Sequence, residues 1–76
     1  MRDLLELIAR SLVDRPDDVS VEEFEEGDET FYEIRVATED LGKVIGRQGR
    51  TARALRTLLG AAGMKLRRRL VLDIVE

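Results

Sequence analysis

The apolar residues of this 76-residue chain change their spacing along its length, and the changes mark its elements. Leu4, Leu5, Ile8 and Leu12 recur at helical spacing, predicting an opening helix. Asp3 stands as its cap, with Glu6 three residues on completing a capping-box-like pair. Pro16 closes the segment after Arg15. Val19 and Val21 alternate with polar residues, so a strand is expected over roughly 18–25. Glu26-Gly27-Asp28-Glu29 supplies a turn in which Gly27 is free to take positive φ. Tyr32, Ile34 and Val36 alternate with Phe31, Glu33 and Arg35, giving a second strand antiparallel to the first.

Thr38 is placed to cap a short helix, with Glu39 and Asp40 at its positive end. That helix runs only to Ile45, because Gly46-Arg47-Gln48-Gly49 breaks it. A helix of good formers follows over about Arg50 to Ala62, with Gly63 as a left-handed cap. Leu70, Leu72 and Ile74 alternate with Val71, Asp73 and Val75, making a last strand. The expected architecture is α+β: helix–strand–strand–helix–helix–strand, a three-stranded mixed sheet covered on one face by three helices. A two-helix crossover makes the second and third strands parallel neighbours. The length suits one domain, residues 1–76, with a thin core and no room for an enclosed active site.

Composition removes several functions. With no Cys and no His, the usual zinc ligands, disulfides and general base are missing, and no cofactor is implied. No apolar run approaches the ~20 residues that cross a bilayer, and the charged opening Met1-Arg2-Asp3 is unlike a signal peptide. A cytoplasmic protein with no membrane role and no small-molecule substrate is expected. The net charge of −3 conceals a division. Residues 1–40 hold fourteen acids and four bases, whereas residues 41–76 hold nine bases and two acids. Such halves either neutralise each other in the fold or leave a basic surface for nucleic acid.

The candidate chemistry lies in the basic half. On a helical wheel Ala52, Leu55, Leu58, Leu59 and Ala62 share one face; Arg50, Arg53 and Thr57 share the opposite one, with Arg56 at its margin. From Lys43 to Thr57 there are five bases and no acid. This ridge meets a glycine-containing turn at a helix N-terminus, where amides are unpaired and the helix dipole favours anions. Two glycines around two residues open a close backbone approach. Arg47, Gln48 and Arg50 add donors for phosphate oxygens, and Val44 and Ile45 are expected to offer bases an apolar surface. A glycine-bearing turn with a solvated arginine face is the plainer alternative.

Leu41-Gly42-Lys43-Val44-Ile45-Gly46-Arg47-Gln48-Gly49-Arg50-Thr51-Ala52 resembles the V-I-G-x-x-G core of KH domains. In that family the loop joins two helices and clamps about four nucleotides of backbone. The element order matches the type II, bacterial arrangement; the Asp-Leu-Leu-Glu opening and the Val71–Val75 close are similar to stand-alone bacterial KH proteins. The resemblance implies a non-enzymatic binder of single-stranded RNA, an RNA chaperone or post-transcriptional regulator. It implies pairing with itself or with a larger KH-containing protein in control of cell division and elongation. The RNA-binding positions it implies are Lys43, Val44, Ile45, Gly46, Arg47, Gln48, Gly49, Arg50 and Arg53. An adapter whose basic helix docks an acidic protein is the competing function.

Other motifs fail. Gly60-Ala61-Ala62-Gly63 has an apolar middle and precedes a strand, so it reads as helix fraying. Arg67–Arg69 either extends the RNA surface or guards a sheet edge against aggregation. A Walker A loop or a dinucleotide fingerprint needs glycine where Val44 stands. Three aromatics, Phe24, Phe31 and Tyr32, are too few for the stacking platform of an RRM.

Overall fold

The computed structural model describes every residue from Met1 to Glu76. Three helices, α1 (Arg2–Leu12), α2 (Leu41–Ile45) and α3 (Arg50–Leu66), accompany three strands, β1 (Ser20–Glu26), β2 (Glu29–Arg35) and β3 (Arg69–Val75). Short 3-10 turns at Pro16–Asp18, Thr38–Asp40 and Arg47–Gly49 join them. The sheet order is β1-β2-β3, with β1 antiparallel and β3 parallel to β2, as the alternation and the crossover predict. No helix is long and apolar enough to cross a membrane.

Alternation sorts the sheet into two faces. Val21, Tyr32, Ile34 and Leu72 point toward the helices and are buried with Leu5 and Ala9 of α1 and Leu55 and Leu59 of α3. α1 packs on β1 and β2, whereas α2 and α3 pack on β3. That division leaves the start of α3 beside the β3 edge, where the candidate loop lies.

Several boundaries differ from expectation, each for a tertiary reason. The first helix begins at Arg2, without a side-chain cap from Asp3. Arg2 binds both Asp3 and Glu6 and donates its Nε to the Val21 carbonyl at 2.8 Å, tying α1 to β1. The helix stops at Leu12 because the Asp14 and Arg15 amides are taken by the Asp40 carboxylate, at 3.2 and 3.0 Å. Thr38 opens a 3-10 turn and makes no capping bond.

α3 runs through Gly63 to Leu66, one turn beyond the expected stop. Its left-handed terminator is Arg67, with φ of 56°, and the Arg68 amide reaches back to the Gly63 carbonyl at 2.9 Å. Gly63 is a helical residue pressed against the returning chain. Leu58, expected in the core, is 57% exposed; Gly63 occupies a buried position on the inner face instead. Arg68 is structural as well: it donates to Thr30 Oγ1 and to the carbonyls of Gly27 and Glu29, locking the β1–β2 turn.

Candidate nucleic-acid interface

Gly46 is held at φ 80° and ψ 168°, a region open essentially to glycine alone. The cause is packing: a Cβ there would stand 2.8 Å from Thr51 Cβ and 2.9 Å from the Thr51 amide nitrogen. Gly49 differs. It sits in the left-handed region at φ 74°, and a Cβ would meet nothing within 4 Å. The first glycine lets the loop dock on α3; the second keeps the outer side of the helix start bare. Between them Gln48 also takes a left-handed conformation, with φ of 57°. A non-glycine residue pays about 1–2 kcal/mol for that, and the only hydrogen bond of this side chain is with Arg50 at 3.3 Å. Strain of this kind collects at ligand-binding loops.

The strip of α3 just beyond its buried face carries the rest. Gly49, Ala52, Arg53 and Arg56 fall at i, i+3, i+4 and i+7, so they line up along one side of the helix. With Ile45 and Ile74 they form a groove of about 330 Å³, apolar on its floor and basic on its wall. The volume lies at the low end for small-ligand sites. Arg47, Arg50, Arg53 and Arg56 make no ion pair with any carboxylate. Neutralisation between the two halves of the chain therefore does not extend to this ridge.

Two expected members of the site do other work. Val44 is 0% exposed, a core residue under α2, and cannot present a surface to bases; Ile45 alone faces the groove. Lys43 is engaged internally, its Nζ 2.6 Å from Asp14 Oδ2 and 3.3 Å from Asp40 Oδ1. Those carboxylates raise the Lys43 ammonium above its ordinary range. Asp40 is 1% exposed. Burial opposes its ionisation, but the Asp14 and Arg15 amides and Lys43 outweigh that and lower its carboxyl. The network fixes α2, and with it the approach to the loop, against the end of α1.

Comparison with known proteins decides the family. The family described as "KhpA/KhpB, KH domain" matches residues 2–74. The chain belongs to that family. "RNA-binding protein KhpA" of Halalkalibacterium halodurans is 51% identical over 76 residues, the full length of both chains. The protein of that name from Aquifex aeolicus is 51% identical across all of this chain and 96% of its own. The one from Treponema pallidum is 47% identical over 97% of this chain and 92% of its own. No solved structure matches the chain. KhpA/KhpB KH domains form a non-enzymatic family.

Ala52, which the helical wheel put on the core face, Arg56 and Ile74 are the groove residues that sequence reasoning did not assign to the site. Arg56 carries a usable signal, since the heptad spacing from Gly49 places it on the groove side of α3. Ile74 carries none: it reaches the site only because β3 pairs parallel to β2 and lies beneath α2 and α3.

Proposed function

We propose that this chain binds single-stranded RNA, with the backbone at Gly46–Gly49 and the bases in the Ile45–Ala52–Ile74 groove. The observation that carries the reading is the conjunction of four unpaired arginines, a strained loop between two glycines of positive φ, and an apolar groove opening beside it. Phosphates suit the start of α3, where amides and the helix dipole face outward over the bare Gly49. Arg47, Gln48 and Arg50 donate to phosphate oxygens. Arg53 and Arg56 line the wall of the groove, where their guanidinium groups hold the next phosphates. Lys43 acts at one remove, by positioning α2. The names carried by the relatives support the same ligand. In the cell such binding serves an RNA chaperone or post-transcriptional regulator in the cytoplasm.

Changing Arg47 and Gln48 together to Asp tests the assignment. Both are exposed, so circular dichroism and melting temperature should stay unchanged while affinity for a labelled polyuridylate falls more than tenfold, or ~1.4 kcal/mol. An affinity within about twofold of the parent would contradict the clamp.

One observation favours a partner as well. Met1, Leu4, Leu5, Ile8, Leu55, Leu58, Leu59 and Ala62 line an entirely apolar groove of about 220 Å³ between α1 and α3. Leu4 and Leu58 there are exposed, as are Met64 and Leu66 further along α3. A second KH chain, this one or a larger relative, would cover that face. Sedimentation equilibrium of the native chain and of Leu58→Glu tests this. The pairing predicts a dimer that the substitution breaks, and a monomer in both would exclude self-pairing.

A further inference from the structure

The sheet face turned away from the helices is organised in a way that RNA binding does not use. Alternation and register place Phe24, Phe31 and Val71 side by side across the three strands. The two phenylalanine rings stack with centroids 5.4 Å apart and planes 13° from parallel, and Phe24 is 49% exposed. The row beside them is Glu22, Glu33 and Asp73, three acids directly opposite one another. Like charges facing across strands destabilise a sheet. Arg35 relieves Glu33 at 3.1 Å, and Arg69 lies 3.6 Å from Glu29, but Glu22, Glu26 and Asp73 have no cation. The face as a whole carries five carboxylates against two guanidinium groups.

We propose that this face docks a basic, extended segment of a protein partner, with arginine side chains stacked on Phe24 and Phe31 and paired with Glu22 and Asp73. An exposed ring flanked by unpaired carboxylates offers a guanidinium group both of its preferred neighbours, an aromatic face and an oxygen acceptor. An extended chain presents side chains on one side at a two-residue period, the spacing of the rows it would cross. The acids repel phosphate, so nucleic acid and anionic lipid are poor occupants. A second copy of this chain is also disfavoured, because its basic ridge sits on the helix side, around the loop assigned to RNA. The two surfaces lie on opposite sides of the molecule, which allows RNA and the basic segment to be held together.

Fluorescence anisotropy with a short labelled peptide of alternating arginine and serine tests the proposal, with a citrulline-for-arginine peptide as the neutral control. The native chain should bind the arginine peptide and not the citrulline one. Phe24→Ala should weaken binding about fivefold, the effect of losing an exposed cation–π contact. Glu22→Gln with Asp73→Asn should weaken it further and flatten its salt dependence. Asp3→Asn with Asp17→Asn, which removes the same charge elsewhere, should change little. Polyuridylate affinity should be unaffected by all three. The proposal is overturned by equal binding of the citrulline peptide, or by equal losses from the two double substitutions. It is overturned too if Phe24→Ala leaves the peptide bound as before, weakens RNA binding, or abolishes a self-association of the native chain.

Discussion

Replacing Gly46 with alanine should cost far more than the same change at Gly49, although both glycines have positive φ and belong to one motif. At Gly46 the backbone lies in a region that costs a non-glycine residue of order 1–3 kcal/mol. The new Cβ would also stand 2.8 Å from Thr51 Cβ and 2.9 Å from the Thr51 nitrogen, in the first turn of α3. That turn cannot retreat without lifting Ala52 and Leu55 from the core, so overpacking adds about 1–3 kcal/mol. The total, ~2–6 kcal/mol, is a large part of the roughly 4–11 kcal/mol available to a chain of this size. The melting temperature should fall by roughly 10–50 °C. At Gly49 the conformation is left-handed helical and no atom lies within 4 Å of the new methyl, so the cost is about 1–2 kcal/mol. Urea unfolding followed by circular dichroism measures both, provided the denaturant slope is unchanged. Equal costs at the two positions would refute the packing role given to Gly46.

The second pair of glycines separates in the same way. Gly60→Ala, with open space around the new methyl in mid-helix, should stabilise the chain by up to ~1 kcal/mol. Gly63→Ala should destabilise it by about 1–3 kcal/mol, because the methyl would meet the Arg68 carbonyl oxygen and lie 3.3 Å from Leu70 Cγ; thermal melts of both compare them directly. Asp40 should make stability depend on acid. Its carboxyl is lowered in the fold, so the stability it contributes is complete above the ordinary carboxylate range and is lost as pH falls through its lowered value. Asp40→Asn should lower the melting temperature at neutral pH and flatten this acid limb, and a limb equally steep in the variant would contradict the network.

What was legible in the sequence came from local chemistry. Alternation at Tyr32–Val36 and Leu70–Val75, helical spacing at Leu4–Leu12, and the Gly46–Gly49 break define the elements without any knowledge of what they pack on. The sense of the sheet followed from the crossover. What was missed depends on residues brought together from far apart. Asp40 ends α1 by taking amides 25 and 26 residues earlier in the chain. Lys43 looks like a free base of the ridge until Asp14, 29 residues away, arrives beside it. Gly63 reads as a helix stop because glycine often is one, yet here the returning backbone needs the missing Cβ, and Arg67 takes the left-handed position instead. Val44 and Ile45 are neighbours of like character, and only the packing of α2 decides which is buried and which faces the groove.

The central claim, that the unpaired arginine ridge holds the phosphates of a single strand, is tested most directly by the salt dependence of RNA affinity. Arg47, Arg50, Arg53 and Arg56 remain after Lys43 is assigned to its carboxylates, and together they neutralise about three phosphates. Counterion release from a single strand gives about −0.7 per phosphate, so log affinity against log salt should have a slope of roughly −2. Arg53→Ala should make that slope shallower by somewhat less than one unit, and weaken polyuridylate and polyadenylate alike, since phosphate contacts carry no sequence information. A flat salt response, or an Arg53→Ala loss confined to one of the two RNAs, would contradict the account.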